Sequence, residues 1–486
     1  MAGFIRQKIP TRAERGFQQL TAGGRVVLLD RASARFLPLE GEDHEREASG
    51  ILSILRTIKD SRVAQHWLVR QCRALLDEAR LADQPRALTD ARAFYALERR
   101  VREYLETKPR WGIDETTPAL ERDSFLLVRD MFDLLIRRTA GEEQRAHNRS
   151  LNRLEMLAKW PELRSFPLRG YFETTNRCNL RCRMCGQSFF RGERVDMPRE
   201  AIAEAAPLFH LMDDVSIFGY GEALLVDYIP ELLDAIPPHA NSWLVTNGLL
   251  MTPDRNRMLI AHGLKSLFVS IDAASRETYR FVRGADAFER VVAQVRDLED
   301  QKRALGSATP RLTLTFVAMR RNIGELPDFV RLARRVGVDR VIADYLIVYS
   351  EDMREQSLFL DQEHSDRVVE EAVRVARAEG LELTAPIRFG ASVERAVRKA
   401  RCAEPWEFIY LRADGLVQPC CTNTDAMGRW TGGRFAEYWN SPDYQNLRRN
   451  LYTDRQSPWC RGCVHVCYRD VRRESAHLHI MPESAA

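Results

Sequence analysis

Cys178, Cys182 and Cys185 stand in the run TNRCNLRCRMCGQ with the spacing C-x3-C-x2-C. Three thiolates this close can hold three irons of a 4Fe–4S cluster and leave the fourth iron without a protein ligand. An open iron is a place for chemistry, as an open coordination position is at a catalytic zinc. Taken alone, the spacing also suits a zinc or electron-transfer site. A second group follows more than 200 residues later: Cys402 and Cys420 flank Gly415 as C-x12-G-x4-C, and Cys460 and Cys463 form C-x2-C. Four thiolates with no spare position would close a 4Fe–4S cluster, and a zinc ribbon is the structural alternative. Cys421 and Cys467 are left over, either as substitute ligands or as buried residues. Cys72 stands alone in the helical pattern HWLVRQCRALLDEARL and reads as a small buried hydrophobe.

The totals fix the context of these cysteines. The 486 residues carry 73 Lys and Arg against 69 Asp and Glu, a net charge of +4 that gives no general argument for nucleic acid or membrane binding. No apolar run reaches the length of a transmembrane helix, and the N-terminus MAGFIRQKIPTRAERGF lacks the apolar core of a secretory signal. A reducing cytoplasm is expected, where clustered cysteines are metal ligands more often than disulfides.

The elements that must position the thiols follow from periodicity. From about residue 168 to 390, short apolar runs (GYFETT, DVSIFG, SWLVTN, SLFVSID, LTLTFVAM, RVIADYLIV) alternate with amphipathic helical stretches such as Pro198 to Phe209 and Phe288 to Leu305. That alternation predicts an α/β fold, a partial (β/α)6 TIM-like barrel of right-handed βαβ units with ligands at the C-terminal strand ends. The cysteine triad lies just after the first of these runs. Residues 1–165 predict a mostly helical N-terminal domain, with a strand pair at Val26 to Leu29 and Phe36 to Leu39, and with a loop at Pro109–Arg110 and GIDETTPA. The barrel is assigned to 166–390. Residues 391–486, rich in Gly, Pro, Trp and Cys, predict a small domain held by metal more than by an apolar core.

After the triad come GYGEALL (219–225), VTNGLL (245–250) and SIDAASRETYRFVRG (270–284). This ordered set resembles the radical S-adenosylmethionine (radical SAM) superfamily over about residues 168–350. The resemblance implies a 4Fe–4S cluster on Cys178, Cys182 and Cys185, and S-adenosylmethionine chelating the open iron. Reductive cleavage of the sulfonium then gives a 5′-deoxyadenosyl radical that takes a hydrogen atom from a substrate. It implies that Gly221 and Glu222 meet the cofactor's amine, since glycines permit close backbone approach and a carboxylate partners an ammonium. Asn247 of the TNG turn is carried along with them, Ser270 matches the ribose-contacting position, and Arg283 would hold the methionine carboxylate. Tyr220 replaces the second glycine of the family's GGEP pattern, Ala223 replaces its proline, and Met184 stands where an aromatic residue often packs near adenine.

The segments CAEPWEFIYLRADGLVQPCC, WNSPDYQNLRRNL and PWCRGC resemble the SPASM/twitch extension of these enzymes. The resemblance implies a single auxiliary 4Fe–4S cluster on Cys402, Cys420, Cys460 and Cys463. VVLLDRASARFLPLE with the helical run after it resembles the small winged-helix-like peptide-binding element of some peptide-modifying relatives, and equally reads as a helical cap. The implied substrate is a peptide or protein side chain, with a sugar or cyclitol dehydrogenase or epimerase as the alternative and a non-catalytic electron-transfer protein as the third reading. An electron donor such as flavodoxin or ferredoxin is the implied partner. No general base is assignable; Asp196, Asp272 and Tyr345 lie near predicted strand ends, as structural residues also would.

Overall fold

The computed structural model describes residues 17–22, 25–30, 35–36, 61–82, 92–189, 192–391, 401–430, 435–465 and 470–480. They fall into two compact units, Met1–Phe166 and Pro167–Ala486.

In the first unit, β1 (Phe17–Ala22), β2 (Arg25–Asp30) and β3 (Arg35–Phe36) form an antiparallel sheet in that order. The predicted strand pair is present as β2 and β3, with one more strand before it; Leu37 to Leu39 lie outside the described residues, as does the helical stretch ILSILRTI. Among the described residues four helices follow, Ser61–Ala82, Arg92–Thr107, Ala119–Arg138 and Gly141–Leu157. Their apolar faces meet in a core of Leu68, Phe94, Leu97, Phe125, Phe132 and Leu151, and Cys72 is fully buried in it. Burial alone raises that thiol's pKa, so it stays neutral and packs as a hydrophobe. Glu155 ties the end of the unit together: it accepts Arg129 Nε at 2.8 Å, Arg164 N at 2.9 Å and Ser165 Oγ at 2.7 Å.

The second unit carries the six predicted strands in chain order: β4 (Arg169–Phe172), β5 (Asp214–Ile217), β6 (Asn241–Thr246), β7 (Ser266–Ser270), β8 (Arg311–Ala318) and β9 (Arg340–Tyr345). They pair in parallel, neighbour to neighbour, as a partial barrel does. Residues alternate along each strand. In β6 and β9, for example, fully buried positions face the outer helices and half-buried ones face the lumen. Tyr171 is the hub of the lumen, packing edge-on against Phe218, Trp243 and Phe408 with ring centroids 4.9, 5.3 and 4.6 Å away.

The sheet extends at both edges beyond the six expected strands. β10 (Glu382–Thr384) extends the sheet beyond β9. On the other edge, β11 (Phe408–Leu411) pairs in parallel with β4, and β12 (Leu416–Gln418) and β13 (Gly428–Arg429) continue it antiparallel. The Cys-rich segment expected as a small domain of its own therefore continues the barrel sheet and lies in the same compact unit. The helix expected from Pro198 begins at Glu200, and the one expected over Phe288 to Leu305 spans Phe288–Leu305. Among the described residues no helix is long and apolar enough to cross a membrane.

Candidate functional site

The loop that leaves β4 is clamped before it reaches the first thiol. Thr175 Oγ1 donates to Asp196 Oδ1 at 2.6 Å and Arg177 Nε donates to the same oxygen at 2.9 Å. Asn176 exchanges backbone and side-chain bonds with Glu193 and Val195. Asp196 is thus a brace for the cysteine loop. Tyr345 is buried against Phe389 and His477, and its hydroxyl accepts Ser365 Oγ at 3.3 Å, away from the thiols.

Loops from the ends of β5, β6 and β7 close on the cysteine loop. Glu222 N donates to Arg177 O at 2.8 Å, and Gly221 packs so tightly there that a Cβ would stand 2.0 Å from Thr175 O. This is a position where only a glycine lets the two backbones meet. The Glu222 carboxylate is 2% exposed and accepts Asn247 N at 2.7 Å, Thr246 Oγ1 at 2.7 Å and Leu224 N at 3.2 Å. Burial raises its pKa, opposed by those donors. Asn247 Nδ2 in turn donates to Asn179 Oδ1 at 2.7 Å and lies 3.9 Å from Cys178 Sγ. Ser270 ends β7 with a half-buried hydroxyl that accepts Thr315 Oγ1 at 3.1 Å.

Arg283 behaves differently from the expectation of an open carboxylate clamp. It is 7% exposed, touches Asp272 Oδ2 at 2.6 Å and donates from Nη1 to Cys182 Sγ at 3.5 Å. Cys178 Sγ accepts Leu180 N at 3.4 Å. Met184 is buried beside Cys185.

Burial raises the thiol of Cys178 and pushes that of Cys185 up to about 12. Thiols this reluctant to ionise in the bare protein become ligands by releasing protons as metal binds. The donor set fits a 4Fe–4S cluster: three thiols on one short loop, with N–H groups aimed at two of the sulfurs. Among the described residues no three His, Cys, Asp or Glu side chains are gathered around one point as a single ion requires. A cluster spreads its ligands over four irons instead.

The second group assembles around Asn423. Its backbone N–H donates to Cys420 Sγ at 3.2 Å, and Nδ2 donates to Cys460 Sγ at 3.7 Å. Burial raises the Cys402 thiol, and Glu404, Cys420 and Cys463 nearby raise it further. Cys402 N donates to Tyr452 Oη at 3.1 Å. Cys467 lies outside the described residues.

Two residues of the interior, Glu173 and Tyr349, were not singled out from sequence, and Tyr220 was noted only as a departure from the GGEP pattern. Glu173, buried at the end of β4, accepts Tyr220 N at 2.7 Å, Ala413 N at 3.0 Å and Tyr410 Oη at 3.2 Å, so it joins the barrel to β11 and its turn. Tyr220 and Tyr349 flank Gly186, where a Cβ would lie 3.2 and 3.3 Å from their rings. Burial raises both hydroxyls, and Cys185 and Cys421 lie near enough to raise them further. The position of Glu173 just before TTNRC was the available signal for that residue.

Comparison with known proteins decides the family. Residues 172–333 match the model of the radical SAM superfamily, and residues 402–464 match SPASM, an iron–sulfur cluster-binding domain. The chain carries a radical SAM domain and an iron–sulfur SPASM domain. Its cofactors are S-adenosylmethionine and 4Fe–4S clusters, and its chemistry is S-adenosylmethionine-dependent radical chemistry. This radical SAM chain is 22% identical over 299 residues to the tungsten-containing aldehyde ferredoxin oxidoreductase cofactor-modifying protein of Pyrococcus furiosus, covering 60% of this chain and 82% of that one. It is 30% identical over 171 residues to a "Probable GTP 3',8-cyclase" of Saccharolobus islandicus, a match of 34% of this chain and only 53% of the relative. Among solved structures it is similar to Streptococcus suis SuiB bound to S-adenosylmethionine, at 14% identity and a TM-score of 0.49, covering 87% of each chain.

Proposed function

We propose that this chain takes a hydrogen atom from a peptide or protein side chain. In this reading Cys178, Cys182 and Cys185 hold the cluster that binds S-adenosylmethionine, and Cys402, Cys420, Cys460 and Cys463 hold a second, auxiliary 4Fe–4S cluster. The observation that carries it is the convergence of the GYGE loop, the TNG loop and the end of the helix Arg276–Arg283 on one cysteine loop at the C-terminal strand ends. When bound, the cluster and S-adenosylmethionine together supply a carbon-centred radical able to abstract hydrogen.

The chain's own residues bind and orient. Gly221 lets its loop meet the cysteine loop backbone to backbone, while Glu222 and Asn247 join the loops after β5 and β6. In this reading those loops face the cofactor's amine and the Ser270 hydroxyl contacts its ribose, and Arg283, with Asp272, supplies fixed charge beside Cys182. A closed four-thiol auxiliary site suits electron transfer rather than substrate ligation, which makes net oxidation of the side chain accessible alongside cross-linking or epimerisation.

The compact unit of residues 1–166 supports a peptide substrate, since a unit distinct from the one that carries the barrel can hold a leader segment. A flavodoxin or ferredoxin is the electron donor of this reading, and the cytoplasm its compartment. A small-molecule substrate is the second reading, favoured by the two curated relatives, whose names concern a cofactor and GTP. Incubating the reduced, reconstituted protein with S-adenosylmethionine and candidate substrates separates the two. Deuterium carried from a labelled peptide side chain into 5′-deoxyadenosine supports the first, and transfer from a labelled sugar or cyclitol alone supports the second.

A further inference from the structure

We propose that Arg283 and Asp272 are positioning residues that set the reduction potential of the first cluster through Cys182. The inference rests on the reading that Cys178, Cys182 and Cys185 hold that cluster.

The helix Arg276–Arg283 ends directly against the cysteine loop. Arg183 N donates to Val282 O at 3.1 Å, and Gly284, at φ +69°, passes so close that a Cβ would lie 2.8 Å from Arg181 O. This seating delivers the Arg283 guanidinium to the buried side of the triad. Nη1 donates to Cys182 Sγ at 3.5 Å, Nη2 touches Asp272 Oδ2 at 2.6 Å, and Nε has no hydrogen-bond partner. Asp272 is fully buried, is held at φ +61°, and accepts Val317 N at 2.7 Å through its other oxygen. Tyr279, one turn before Arg283 on the same helix, is fully buried with an unpartnered hydroxyl.

A guanidinium this deep is not needed for packing, and a hydrophobic side chain would fill its place without the desolvation penalty. Its placement is explained by what it touches. A fixed cation on a ligand sulfur favours the more negatively charged, reduced state of a cluster, because hydrogen bonds and net charge at the sulfurs set its potential. Asp272 stands on the far side of the cation and opposes that field. The two residues therefore act in opposite directions.

The test is an EPR-monitored redox titration of the reconstituted full-length protein with a one-electron reductant. The first cluster is recognised as the signal that changes when S-adenosylmethionine is added. Arg283→Gln is expected to lower the midpoint potential, Asp272→Asn to raise it, and Arg283→Lys, which keeps the charge, to return it close to the parent value. Unmoved potentials in Arg283→Gln and Asp272→Asn overturn the proposal, and so does movement of both in the same direction. If Arg283→Gln fails to load iron, Arg283→Lys decides: loading with the parent potential supports the proposal, and failure to load assigns Arg283 to the fold and overturns it. Absence of any S-adenosylmethionine-sensitive signal in the parent protein would instead sink the cluster assignment itself.

Discussion

Glu222 accepts the backbone N–H of Asn247 at 2.7 Å, so the loop after β5 and the loop after β6 are held by one buried carboxylate. The same carboxylate holds Thr246 Oγ1 and Leu224 N. Glu222→Ala would leave these donors buried and unpaired, at roughly 1–3 kcal/mol for each fully orphaned group. The expected outcome is a lower melting temperature together with weaker S-adenosylmethionine binding, read by calorimetry and equilibrium dialysis. Wild-type binding in a folded Glu222→Ala variant would remove Glu222 from the site.

Gly221→Ala places a methyl group 2.0 Å from Thr175 O, a backbone atom that cannot move without shifting the loop that carries Cys178. Overpacking of this kind costs on the order of 1–3 kcal/mol. Iron content per chain after anaerobic reconstitution is expected to fall, whereas Gly324→Ala, where a Cβ meets nothing within 4 Å, is expected to leave it unchanged.

Asn423 hydrogen bonds to two sulfurs of the second cysteine group, Cys420 and Cys460. Asn423→Asp puts a carboxylate where thiolates must gather, so about half of the iron is expected to be lost if two 4Fe–4S clusters are present. Formation of 5′-deoxyadenosine at the first site should survive. Iron analysis and product chromatography on the same sample check both.

Within the first unit, Glu155→Ala would strand the Arg129 guanidinium, since both side chains are buried and lie 2.8 Å apart. Breaking one partner of such a pair costs about 3–5 kcal/mol. Replacing both with apolar residues of similar volume is expected to cost much less, which a double-mutant cycle in denaturant measures.

Burial depresses His147 to about 4, against an ordinary value of about 6.5. The unfolded chain therefore binds the extra proton first as the solution is acidified. The stability contributed by neutral His147 is complete above pH 6.5 and is lost as pH falls toward 4. Denaturant midpoints measured across that window should drop less steeply in His147→Gln. His479, also near 4 through burial, adds a parallel slope in the second unit.

The barrel was legible because its strands and helices announce themselves locally: the six apolar runs and the ordered motifs after Cys185 carry period and spacing within a few residues. Long-range pairing does not. FIYL reads as a short apolar run, and nothing in it says that Phe408 will pair with Arg169 rather than form a separate sheet. The site was legible at the level of residue type, since Gly221, Glu222, Asn247 and Cys178 do converge. What side-chain chemistry alone left open was each partner. Arg283 suits any anion, and only the fold shows that its partners are Asp272 and Cys182. Tyr349 was missed, and Tyr220 was read only as a departure from a motif, because their shared place beside Gly186 joins the ends of distant strands.

The central claim is that two separate sets of thiols hold two clusters, the first of which works with S-adenosylmethionine. Iron and sulfide counting after anaerobic reconstitution, with 5′-deoxyadenosine assayed on reduction, tests it most directly. About eight irons per chain are expected in the parent protein, falling to about four when Cys178, Cys182 and Cys185 are replaced, with all 5′-deoxyadenosine formation lost. Replacing Cys402 and Cys463 should also leave about four irons while sparing cleavage. About four irons in the parent, unchanged by replacing Cys402 and Cys463, would contradict the account.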